Sequence, residues 1–78
     1  MKVIIKKRIS VYGVIMDVEL RQYDGFYQLY NVYPKEIHGF GACEEERGIP
    51  VTDKSTALKM FEGACGVKLT DEFKNYIL

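Results

Sequence analysis

Tryptophan is absent from this chain of 78 residues, which holds one histidine, two cysteines and two prolines, and whose formal charges cancel to zero. Each shortage excludes something. Cys43 and Cys65 follow no CxxC or paired ligand spacing, so neither a zinc knuckle nor a disulfide framework is expected, and free thiols in an intracellular, cytoplasmic setting are. No charged-then-apolar leader with a cleavage site is read at the start, and no apolar run approaches the ~18–20 residues that cross a bilayer. No membrane role is therefore expected. With eleven basic against eleven acidic side chains, no global field draws in nucleic acid. His38 lies five residues from Cys43, but an odd separation on a strand sends the two side chains to opposite faces, so a nucleophile–base dyad is not expected. A chain this short buries only roughly 60–65% of its unfolded surface, enough for one thin core and too little for a deep cleft beside a cofactor site. The expectation is one domain over 1–78, non-enzymatic, with no cofactor and no small-molecule ligand.

What is present is an ordinary globular composition, 47% apolar and 28% charged, with the charges unevenly placed. Lys2, Lys6, Lys7 and Arg8 make the first ten residues basic, and Glu44, Glu45 and Glu46 form an acidic run. The segment KVIIKKRI reads as a strand with one charged face, Val3, Ile5 and Ile9 on one parity and Lys2, Ile4, Lys6 and Arg8 on the other. VYGVIMDVEL alternates for ten residues, the pattern of a half-buried strand. A tight hairpin around Ile9 to Tyr12 is preferred between these two over one long bent strand.

Asp24-Gly25 then sits between two β-rich runs, and both residues tolerate the positive φ of a two-residue hairpin turn. The register follows: Tyr23 opposite Phe26, Gln22 opposite Tyr27, Arg21 opposite Gln28, Leu20 opposite Leu29, Glu19 opposite Tyr30. Met16, Val18, Leu20, Tyr27, Leu29 and Tyr33 then share one face, and Asp17, Glu19, Arg21, Tyr23, Phe26, Tyr30 and Val32 the other.

After a turn at Pro34-Lys35, EIHGFGAC is expected as a short or bulged fourth strand, followed by EEERGIPV as a polar loop. Its two glycines lie about ten residues before the helix, too far to cradle a phosphate at a strand-to-helix turn. Thr52 or Asp53 caps a helix in which Ala57, Leu58, Phe61, Ala64 and Cys65 form an apolar stripe, Gly66 stops it, and Val67 folds back over the last turn. A second short helix is expected from Thr70, with Asp71 and Glu72 in its first turn and Phe73 and Ile77 for burial. The fold class is thus α+β: an antiparallel sheet of about four strands followed by two helices (β-β-β-β-α-α), the first helix packed on one sheet face. In pattern alone, with no motif carrying it, the order resembles small phage-borne and mobile-element domains of similar length.

Six tyrosines and four phenylalanines are the one compositional excess. Arg21, Tyr23, Phe26 and Tyr30 fall together on the sheet face away from the core, and aromatics with arginine are the residue types enriched where proteins bind one another. Such a platform could also stack bases, but Asp17 and Glu19 on the same face repel phosphate. The function expected is a protein-interaction module binding a protein partner or a second copy of itself through this face or an open edge strand. A virus- or mobile-element-encoded inhibitor that occludes a host protein is one form of that expectation. The alternative is nucleic-acid binding by Lys2, Lys6, Lys7 and Arg8 with neighbouring tyrosines. The competing explanation for the aromatics is a second small core under the C-terminal helix.

Overall fold

A computed structural model describes residues 1–39 and 43–71. Strands β1 (Lys2–Val11), β2 (Val14–Tyr23), β3 (Phe26–Tyr33) and β4 (Cys43–Val51) form one antiparallel sheet in sequential order. A single helical turn, α1 (Lys35–His38), joins β3 to β4, and α2 (Lys54–Cys65) follows. Among the described residues the order is therefore β-β-β-α-β-α. Of the C-terminal helix expected from Thr70, only Thr70 and Asp71 are among the described residues; Glu72, Phe73 and Ile77 lie outside them.

The first two strands do form a hairpin, but its turn is Tyr12-Gly13 rather than Ile9 to Tyr12, with Val11 closing against Val14. Both turn residues have positive φ, 50° and 81°, as a two-residue turn matching the strand twist requires. Gly13 accepts this freely. Tyr12 does so at a cost, and its side chain is fully exposed. Replacing Tyr12 with asparagine, which tolerates the left-handed region, is expected to stabilise the fold by about 0.5–1 kcal/mol, checked as a higher urea midpoint with unchanged slope. The second hairpin turns at Asp24-Gly25, Gly25 having φ 86°, and its register is the one expected from Tyr23–Phe26 down to Glu19–Tyr30.

The fourth strand is displaced along the chain. Glu36 to His38 belong to the turn of helix, opened by Pro34 at φ −62° and closed by Gly39 at φ 79°, while Phe40, Gly41 and Ala42 lie outside the described residues. Proline before and glycine after a four-residue segment is helix punctuation, and it outweighs the weak strand preference of Ile37. The strand is instead Cys43–Val51, which takes in Cys43 from the end of the expected strand and the whole acidic stretch 44–51 expected as a loop. It is an edge strand, which needs a backbone ladder on one side and no apolar alternation. Its polar side chains are used laterally: Glu45 accepts from the Tyr33 hydroxyl at 2.7 Å and from Asn31 at 3.2 Å, and Arg47 donates to Asn31 at 3.2 Å. The register breaks between Tyr27 and Leu29, which face Val51 and Arg47, so that Gln28 stands against Gly48, Ile49 and Pro50. The buried Gln28 amide fills that gap by donating to the carbonyls of Arg47 at 3.1 Å and Gly48 at 3.3 Å.

Helix α2 starts on Asp53, whose carboxylate accepts from the Thr56 amide at 2.9 Å, and stops at left-handed Gly66, after which the Val67 amide reaches back to the Glu62 carbonyl at 3.1 Å. Ala57, Leu58 and Phe61 are buried in one cluster with Val18, Leu20 and Leu29, and Ile5, Ile9, Ala64, Cys65 and Val67 pack on it. Lys7 pairs with Val18 and shares the helix-side face; a bulge between Val3 and Ile5 turns Val3 away from it. One side of the sheet is committed to this core, which leaves the other for the aromatics.

Candidate interaction face

On the outer side of the sheet, register alone brings Asp17, Glu19, Arg21 and Tyr23 of β2 beside Phe26, Tyr30 and Val32 of β3, with Arg8 and Lys6 of β1 and Glu44 and Glu46 of β4 flanking them. The four residues singled out in the sequence, Arg21, Tyr23, Phe26 and Tyr30, are brought together here. The Tyr23 and Phe26 rings stack with centroids 5.1 Å apart and planes 9° from parallel, and Tyr30 lies tilted against Tyr23 at 6.3 Å. They directly follow and precede the Asp24-Gly25 turn, so the hairpin ladder fixes their spacing.

Arg21 organises the group from beneath. Its guanidinium carbon sits 4.1 Å from the Tyr30 ring centroid, Nε donates to Glu19 at 2.9 Å, and Nη1 and Nη2 fork onto the Glu44 carboxylate at 3.1 and 2.7 Å. Only 6% of the residue is exposed, so Arg21 is a positioning residue here rather than a contact offered outward. Its pKa is raised, first by the Glu44 fork, and Glu44 is correspondingly held below the usual carboxylate range by the same hydrogen bond. The Tyr30 hydroxyl is pushed up to about 12, chiefly by its hydrogen bond with Tyr23. At neutral pH the Tyr30 hydroxyl therefore stays protonated and uncharged. Phe26, 38% exposed, is the most open ring of the cluster; Tyr23 and Tyr30 are half-buried.

The basic residues of β1 do not converge in the same way. Arg8 is engaged by Asp17, Nε to Oδ1 at 2.8 Å and Nη2 to Oδ2 at 3.2 Å, which holds the Asp17 pKa below the ordinary carboxylate value. Lys6 stands opposite Glu19, Lys7 points to the helix side, and Lys2 lies beyond the bulge opposite Gln22. Four cations within the first eight residues are thus divided between two faces, and Arg8 is neutralised.

His38 donates from Nε2 to the Ile15 carbonyl at 2.7 Å and meets Tyr33 edge-on, tying α1 to the sheet. Cys65 is partly buried beside the core, which pushes its thiol pKa up against the opposing pull of Arg47 and Lys7. Among the described residues no group of three or more histidine, cysteine, aspartate or glutamate side chains is arranged to hold a metal ion, and no helix is long and apolar enough to cross a membrane.

Sequence reasoning missed two contributors. Glu44 falls in the acidic run expected as a polar loop, and only the displaced β4 brings it across the sheet to Arg21. The second is the place of the first turn, expected around Ile9 to Tyr12; the Gly that follows Tyr12 is the signal that sets it at Tyr12-Gly13. Comparison with protein-family models, with curated proteins and with solved structures returns no match, so the assignment of this chain rests on its own residues.

Proposed function

We propose that this chain is a non-enzymatic protein-interaction module whose contact surface is the outer sheet face centred on Tyr23, Phe26 and Tyr30. The observation that carries the reading is the stacked Tyr23–Phe26 pair backed by Tyr30 over a locked Arg21: a preorganised aromatic group with its outermost ring open to solvent. Holding aromatic rings rigid before contact lowers the entropy lost on binding. Asp17, Glu19 and Glu44 around the rings are paired with Arg8 and Arg21, so the open Phe26 ring dominates what the face offers and the partner of best fit is a protein presenting an apolar pocket. Arg8 and Arg21, already engaged by these carboxylates, are not available to a nucleic-acid backbone. Occlusion of a host protein by a small domain of this kind is the form of the function we favour, and Cys43 and Cys65, not joined in a disulfide, suit a reducing, cytoplasmic setting.

Phe26 is the probe of choice because Tyr30 supports Arg21 and its loss would also disturb the fold. Phe26→Ser is expected to change stability by only about 0.5 kcal/mol while weakening partner binding by about 2 kcal/mol or more. Thermal melts and affinity capture from the native host, with wild type alongside, measure the two quantities. A marked fall in melting temperature with undiminished capture would refute the aromatic face. Salt-sensitive binding to oligonucleotides that survives Phe26→Ser and fails on replacing Lys2, Lys6, Lys7 and Arg8 would put nucleic-acid recognition in its place.

A further inference from the structure

The sheet has two outer strands, β1 and β4, of opposite charge. In a two-residue hairpin the closing pair hydrogen-bonds to itself and pairs alternate from there. Val11–Val14 closure therefore directs the backbone groups of Val11, Ile9 and Lys7 toward β2 and those of Arg8 and Lys6 outward. Tyr23–Phe26 closure gives Phe26, Gln28, Tyr30 and Val32 to β2, so that Leu29, Asn31 and Tyr33 bond to Arg47, Glu45 and Cys43, and Glu44 and Glu46 direct theirs outward.

We infer that the chain self-associates head to tail, the basic β1 edge of one copy adding antiparallel to the acidic β4 edge of the next. Alternating strand directions make β1 and β4 antiparallel to one another, so a translated copy meets the sheet in the right sense. One register satisfies backbone and charge together: Lys6 opposite the next copy's Glu46, Lys7 opposite its Glu45, Arg8 opposite its Glu44. Lys6, Arg8, Glu44 and Glu46 are then outward-bonding residues on the outer face, and Lys7 and Glu45 share the helix-side face. All six are exposed. Across the junction Arg8 lies between its own Asp17 and the next copy's Glu44, which its own Arg21 already grips, giving a row of alternating sign.

Symmetric edge pairing is disfavoured by the same charges. β1 against β1 about Lys7 sets Lys6 on Arg8 and Lys7 on itself; β4 against β4 about Glu45 sets Glu44 on Glu46. The heterologous contact is the one left, and it does not close on itself, so the product is an open series that grows with concentration. It leaves Tyr23, Phe26 and Tyr30 out of the junction, although Glu44 and Glu46 flank both surfaces; Phe26→Ser tests the one and the edge-charge variants the other.

Sedimentation of the full chain over a range of concentrations at low and near-physiological salt tests the inference first without any substitution. Self-association is expected at about 0.01 M salt and is expected to weaken about tenfold or more by about 0.15 M, as the charges are screened. Two variants then test the register: Lys6→Glu with Lys7→Glu, which makes both edges acidic, and Glu45→Lys with Glu46→Lys, which makes both basic. Each alone is expected to be monomeric, and their equimolar mixture to associate, because each acidic edge again meets a basic one. Circular dichroism checks that both fold; should either fail, the salt series on wild type decides. A wild type monomeric at every concentration and salt, association indifferent to salt, or a mixture of folded variants that stays monomeric would each overturn the inference.

Discussion

Phe61→Ala is expected to cost about 3–5 kcal/mol, against a total stability of about 4–12 kcal/mol for a domain of this length. Phe61 is 1% exposed and is among the largest of the fully buried side chains, in one cluster with Val18, Leu20, Leu29, Ala57 and Leu58. Removing its ring takes away the transfer term and leaves a cavity that α2, capped at both ends by Asp53 and Gly66, can close only in part. The urea midpoint should fall steeply, while Phe61→Leu, which keeps most of the volume, should cost less than about 1.5 kcal/mol. An alanine variant within about 1 kcal/mol of wild type would mean that the helix does not depend on this contact for its place.

Arg21→Ala is the second large effect, about 2–4 kcal/mol. The substitution leaves Glu19, its side chain 13% exposed, without its cation, and uncovers the Tyr30 ring; Glu44 is about half exposed and recovers hydration, which keeps the loss below that of a fully buried pair. Linkage supplies an independent check. Arg21 depresses the Glu44 pKa from its ordinary value of 4.5, so its share of the stability is present above that value and is lost as pH falls through the lowered folded value. The gap between wild type and Arg21→Ala should therefore narrow on acidification below about 4.5, in urea melts run at a series of pH values. A gap that stays constant with pH would show that the guanidinium contributes packing alone. Adding Glu19→Gln to the variant should recover part of the loss, because the uncompensated charge is then gone.

How much was legible in advance differed from element to element, for physical reasons. The β2–β3 hairpin was readable to the residue, since Asp24-Gly25 admits one short turn and a one-residue slip would move Val18 and Leu20 from core to solvent. Helix α2 was readable because an apolar stripe, an acceptor at its start and a glycine at its end agree. The aromatic cluster followed from the hairpin register, as side chains opposite each other on a ladder share a face. By contrast β4 was read as a loop: an edge strand can be polar on both sides, and its evidence lies in a partner strand rather than in its own periodicity. The first turn was misplaced for a related reason. Tyr12 disfavours positive φ, and only the closing of Val11 on Val14 holds it there.

By itself the sequence determined an α+β chain with a central hairpin, a helix of known face, and an aromatic group gathered opposite the core, because turn chemistry and periodicity act over a few neighbouring residues. Tertiary structure alone decided that the acidic run is a strand and that Glu44 reaches across to Arg21 while Asp17 takes Arg8. It also decided that the basic segment is divided between two faces, leaving edges of opposite charge on the two sides of one sheet. Those outcomes depend on which strands become neighbours, a choice made by the burial of Val18, Leu20, Leu29 and Phe61 together and written in no single segment of the chain.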